Sequence, residues 1–151
     1  MGPHEAYDDR KSSAHLDIFD AKVDDLHTPY VFPQECGRRA DPRWITFRNK
    51  NTDGIFIAPF PSTNKPRDLE VKGWGWSASR YSLEKLESMT HNHELTCDKD
   101  GKIHVHIDSR SMGIGGYDSW SSNVDQEYLI QARCGPFTTS LLLIPITKDV
   151  S

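Results

Sequence analysis

From Arg43 to Ala58 the chain spells out an antiparallel hairpin, and that pattern limits the fold more than any other feature. Arg43-Trp-Ile-Thr-Phe47 alternates in polarity and is rich in β-branched and aromatic residues, which suit a pleated, half-buried surface. Asn49-Lys-Asn-Thr-Asp-Gly54 is dense in turn formers, and Ile55-Phe-Ile-Ala58 supplies the returning strand. The same grammar recurs. Val71–Ser79 alternates small and aromatic residues and predicts a strand. Glu94–Cys97 and Lys102–Ile107 flank the turn Asp98-Lys-Asp-Gly101, and Glu127–Arg133 and Phe137–Ile146 flank Cys134-Gly-Pro136. Ala14–Val23 alternates weakly and reads as a strand. Pro29 and Pro33 confine Tyr30-Val-Phe32 to a sheet edge or an extended loop. Gly2–Lys11 is too polar for a core strand and reads as loop. Only Ser82–Ser88 reads as helix, with Ser82 as N-cap and Leu83 and Leu86 on one face. Short strands, frequent turns and almost no helix predict an all-β protein, an antiparallel β-sandwich with one short helix. The 151 residues suit a single domain spanning 1–151, with no internal repeat or boundary.

One loop departs from this regularity. Met112-Gly-Ile-Gly-Gly-Tyr-Asp-Ser-Trp120 lies between two strand-like runs and carries Gly113, Gly115 and Gly116, then an aromatic, a carboxylate, a hydroxyl and a tryptophan. Glycines permit turns that other residues resist, and shaped loops on rigid sheets commonly carry binding groups. Two readings stand side by side. Trp120 is either a cap on the core or the exposed platform of a binding site.

Three further stretches precede that loop: Gly2-Pro-His-Glu-Ala-Tyr-Asp-Asp-Arg-Lys11, Pro29-Tyr-Val-Phe-Pro-Gln-Glu-Cys-Gly37 and Asp41-Pro-Arg-Trp44. In this order, with Gly113–Trp120 last, they resemble the C-terminal small-chain domain of the LacZ-type β-galactosidases of glycoside hydrolase family 2. The resemblance runs from Gly2 to about Pro145 and implies half of a galactose-mutarotase-like super-sandwich. In those enzymes the two catalytic glutamates lie in a separate (β/α)₈ barrel, and nothing here resembles a barrel of roughly 250 residues. The expectation is therefore a protein that is not itself an enzyme.

The resemblance also implies a sugar site, because the tryptophan of the family's Asp-Ser-Trp motif lines it. Here that residue is Trp120, with Asp118 and Ser119 beside it. An aromatic ring matches the apolar face of a sugar, and carboxylates, amides or a metal match its hydroxyls. Glu5, Asp9 and Arg10 match the first motif, and Gln34, Glu35 and Gly37 the second. Asp8 stands where proline is usual and Cys36 where asparagine is usual. The expected sugar-binding set is Trp120, Asp118, Ser119, Glu5, Gln34, Glu35, Asp9 and Arg10. The acidic residues allow two readings. They pair with Arg10, Arg39 and Arg43 and pin loops together, or Glu5, Asp8, Asp9, Gln34, Glu35 and Asp118 supply oxygens to calcium, which takes six to eight. The expected function is a lectin recognising terminal β-galactose on glycans, with calcium as its metal. The alternative is a non-catalytic C-terminal domain or small subunit of a β-galactosidase that needs a separate catalytic chain.

Composition removes other classes. The net charge of −4 with no basic block argues against nucleic acid. No apolar run approaches the roughly 18–20 residues of a membrane span. His91-Asn-His93 and His104-Val-His106 have a spacing that can bind zinc, but neither has a cysteine or carboxylate at the expected metal spacing. Cys36, Cys97 and Cys134 form an odd set that permits one internal disulfide and one spare thiol, and three reduced cysteines in a cytosolic protein are equally allowed. Cys36 is a candidate crosslink in a homodimer or, equally, a buried free thiol. No signal peptide is visible; a mature secreted chain or a trimmed one could begin this way, and a secreted or extracellular location is the expectation.

Overall fold

The computed structural model describes residues 1–60, 74–97, 100–131 and 139–147. Six strands are present among the described residues: β1 (Arg39–Ala40), β2 (Ile45–Arg48), β3 (Gly54–Pro59), β4 (Gly75–Ser79), β5 (His104–Asp108) and β6 (Leu141–Ile146). They form two three-stranded antiparallel sheets, ordered β1-β4-β5 and β2-β3-β6. The helix α1 covers Leu83–Ser88. This is the all-β antiparallel sandwich that the strand pattern predicts.

The β2–β3 hairpin forms where the turn residues place it. Asn49 Oδ1 accepts from the backbone N–H groups of Asn51 (2.8 Å) and Asp53 (3.1 Å), an Asx turn that closes the chain on itself. Ile45 then faces Ile57 across the pair and both are buried. Pro145 lies opposite Ile55 in β6, an edge strand of its sheet among the described residues, where a missing N–H is tolerated. Ser82 caps α1 by accepting from Lys85 N at 3.3 Å. Of the two leucines expected on its inner face, only Leu86 is buried, and Leu83 is largely exposed.

The two sheets touch where the Phe47 ring of β2 meets Trp76 of β4 edge to face, 5.5 Å between centroids. Ala6, Leu26, Ala40, Ile45, Ile57, Ala78 and Leu86 are buried, and Trp74 is the largest fully buried side chain among the described residues. Between β2 and the segment 16–21 opens a groove of about 620 Å³, walled in part by Leu16, Phe19, Trp44 and Trp76.

Several expected elements are replaced. Ala14–Val23 is not a strand. His15 bridges Gly2 alone, and a 3₁₀ turn follows at Val23–Asp25. Asp17 and Asp20 break the alternation, leaving the adjacent Ile18 and Phe19 both exposed. At Glu94–Cys97 the carboxylate of Glu94 accepts from the Thr90 and His91 N–H groups, both at 2.9 Å, and caps a 3₁₀ turn at Asn92–Glu94 instead. Gln126–Tyr128 is another 3₁₀ turn within the expected 127–133 strand. Among the described residues β5 joins β4 and β6 joins β3. Val71–Gly73, Asp98-Lys99 and Cys134-Gly-Pro136 lie outside the described residues.

Candidate functional site

The N-terminal loop is organised by one carboxylate. Glu5 is 9% exposed and accepts from Gly37 N (2.9 Å), Tyr7 Oη (3.3 Å), Arg10 Nη2 (3.4 Å) and the Tyr30 hydroxyl. Burial works to raise its pKa. The hydrogen bonds from Tyr30 and Gly37 and the charge of Arg10 outweigh burial and hold Glu5 below the usual carboxylate range. Expected partners Arg10 and Glu5 thus meet, while Tyr7 and Tyr30 are participants that pattern reasoning missed. Their signal was a pair of tyrosines in otherwise polar or proline-bound loops. Arg39 takes a different role from the one expected: it donates to the carbonyls of Gly37 (2.5 Å) and Pro3 (3.1 Å).

Asp9 ties this loop to the glycine-rich one. Its Oδ2 accepts from Gly115 N at 2.7 Å, across 106 residues of sequence. Gly113 is clamped between two elements: a Cβ there would stand 2.6 Å from Asp9 Oδ2 and 2.8 Å from Tyr128 Cβ. Its N–H donates to the Tyr128 carbonyl at 3.0 Å. Gly115 has φ +64°, and a Cβ would meet the Asn123 carbonyl oxygen at 2.3 Å. These two glycines are therefore required by close approach and by backbone conformation.

Beyond the clamp the loop orders itself. Asp118 Oδ1 accepts from Trp120 N and Ser121 N, each at 2.7 Å, and Oδ2 accepts from Ser121 Oγ at 2.9 Å. The backbone and hydroxyl bonds hold its pKa below the usual range. Ser119 is exposed, Tyr117 is 59% exposed and Trp120 is 91% exposed. The ring of Trp120 caps nothing among the described residues, which overturns the core-cap reading; Trp74 fills the core instead.

The remaining expected ligands separate. Asp8 lies 3.8 Å from both Lys11 Nζ and Arg38 Nη1, and burial raises its pKa against those two cations. Glu35 points to β5, 3.3 Å from His106 Nδ1. Gln34 is exposed. Glu5, Asp9 and Asp118 thus each bond to protein donors, Glu35 lies against β5, and among the described residues no three His, Cys, Asp or Glu side chains converge as metal ligands. Cys36 is buried and Cys97 exposed, and neither is in a disulfide.

Comparison with known proteins gives this geometry a relationship. The family described as "Beta galactosidase small chain" matches residues 1–143. The β-galactosidase of Pseudoalteromonas haloplanktis is 35% identical over 133 residues, covering 88% of this chain and 11% of that protein. That of Vibrio cholerae is 38% identical over 129 residues, covering 85% and 11%. In Priestia megaterium the identity is 33% over 145 residues, covering 96% and 13%. This chain accordingly spans about 11% of the length of the first of these relatives. With the motif residues Glu5, Asp9 and Gly115 bonded into one scaffold, and with 143 residues matched, the chain belongs to the β-galactosidase small-chain family.

Proposed function

We propose that this chain is a non-catalytic part of a LacZ-type β-galactosidase, which borders the sugar site and depends on a separate catalytic segment. The observation that carries the reading is Trp120: a ring 91% exposed, on a loop clamped by Asp9 and Tyr128 and ordered by Asp118. An aromatic left in solvent on a fixed backbone suits a surface completed by something else. The bare apolar side chains of Leu142, Leu143 and Ile144 on β6 also support a neighbouring mass of protein. The free-standing galactose lectin is less well supported, because the relatives are β-galactosidases of which such a stretch is a small share.

The test is replacement. A LacZ-type β-galactosidase in which this sequence substitutes for its own small-chain segment should hydrolyse a chromogenic β-galactoside, and Trp120→Ala in that chimaera should raise KM at least tenfold. The chain alone should give no turnover. A folded chimaera whose KM ignores Trp120 would remove the tryptophan from the site. Turnover by the repurified chain alone would overturn the non-catalytic reading, and galactose binding by it would favour the lectin.

A further inference from the structure

Asp8 and Asp9 form the tip of a two-residue turn in the first motif. Tyr7 and Arg10 close it: Tyr7 N donates to the Arg10 carbonyl at 3.2 Å, and Arg10 N donates to the Tyr7 carbonyl at 2.9 Å. The turn stands on the buried Ala6, whose N–H donates to the Arg38 carbonyl at 2.7 Å, just before β1. Asp8 lies 3.8 Å from Lys11 and Arg38, whereas Asp9 goes to the glycine-rich loop. That loop has little conformation of its own. Gly115 and Gly116 follow each other at φ +64° and +78°, where glycine has the widest freedom, so the backbone must be fixed from elsewhere. Most of its hydrogen bonds cannot do this, because they close the stretch 113–128 on itself. Gly113 bonds Tyr128, Tyr117 bonds Asp125, and Asp118 bonds Trp120 and Ser121. Among the described residues, the hydrogen bond that reaches this stretch from outside is Asp9 Oδ2 on Gly115 N, five residues before Trp120.

We propose that Asp9 is a positioning residue, which anchors the glycine-rich loop at Gly115 and so aims Trp120 at the sugar. This rests on the reading of Trp120 as part of the sugar site. The motif resemblance puts Asp9 among the residues that touch sugar, and its own atoms argue for the indirect role. Oδ2 is occupied by Gly115 N, and Oδ1 is buried with no hydrogen-bond partner. Asp118 then carries the aim onward: it fixes Trp120 relative to residues 118–121, and the anchor at Gly115 fixes that turn relative to β1. Only an acceptor oxygen is needed at Asp9, not its charge.

The experiment has two arms. In the full chain, NMR relaxation of the backbone amides reads the mobility of residues 116–121. Asp9→Ala should make them mobile, and Asp9→Asn, which keeps an oxygen for Gly115, should leave them as ordered as in wild type. In the chimaera, Asp9→Ala should raise KM roughly tenfold, as Trp120→Ala does, with kcat changed less than about twofold, and Asp9→Asn should restore KM. The double variant Asp9→Ala/Trp120→Ala should match Trp120→Ala within about twofold, because Asp9 acts through the ring. Additive losses in KM would put Asp9 in direct contact with sugar and overturn the positioning role. An ordered loop in Asp9→Ala would overturn it as well, whatever the kinetics. A KM indifferent to Trp120→Ala would overturn the sugar-site reading, and the mobility of the loop would still decide whether Asp9 anchors it. Asp9→Leu fills the same space without an acceptor and replaces the alanine variant if that one unfolds. If both unfold while Asp9→Asn folds, Asp9 supports the whole fold and the positioning role is overturned.

Discussion

Trp74 and Trp120 share a side chain and differ in surroundings, 1% against 91% exposed. Trp74→Ala empties the core and should cost about 3–5 kcal/mol. Trp120→Ala removes a ring that rests on solvent, so the melting temperature should hold while the site role is lost. Thermal melts of the two variants separate them. Gly113→Ala belongs with the first: its Cβ would press on Asp9 Oδ2 and Tyr128 Cβ, so the Trp120 loop should detach and the variant should lose about 1–3 kcal/mol. At this scale the sequence was legible where a motif carried geometry, as for Glu5 with Arg10 and for the glycines of the loop. It was illegible where a partner came from a distant loop. No spacing announces that the Tyr30 hydroxyl reaches Glu5, or that Asp9 bonds Gly115.

Elements show the same division. The β2–β3 hairpin and the Ser82 cap are local, so turn chemistry predicts them. The pairings β3–β6 and β4–β5 join stretches far apart in the chain, and their registers follow from burial in the finished fold. The strands expected at Ala14–Val23 and Glu94–Cys97 are replaced by a single bridge at His15 and by a 3₁₀ turn that the Glu94 carboxylate caps. The N-terminal loop has no ladder of its own and depends on Glu5. A carboxyl held below its ordinary value of 4.5 stabilises the fold above that value. The contribution is lost as pH falls through the lowered folded value. Urea melts from pH 7 downward should show stability declining below about pH 4.5. Glu5→Gln should flatten that decline and cost about 1–3 kcal/mol at neutral pH. Because Glu5, Asp9 and Asp118 each accept hydrogen bonds from protein donors, excess EDTA should leave the melting temperature of calcium-exposed protein unchanged.

At the scale of the molecule, two apolar surfaces stand uncovered among the described residues: the β6 side chains Leu142, Leu143 and Ile144, and the walls of the groove at Leu16, Ile18 and Trp44. Edge strands with bare apolar residues template association. Sedimentation of the chain alone should show concentration-dependent self-association, and Leu143→Lys should reduce it. A species that stays monomeric at high concentration would indicate that these faces are benign in water. The hydrogen bond from Gly115 to Asp9 has a different consequence, in time. Its two ends lie 106 residues apart, so the clamp closes only after most of the chain has collapsed. The loop that presents Trp120 should therefore be the last part to gain protection when refolding is followed by pulsed hydrogen exchange, well after the 49–54 turn has formed. A nascent chain emerging from the ribosome would carry its β2–β3 hairpin early and its aromatic platform only once both halves are synthesised.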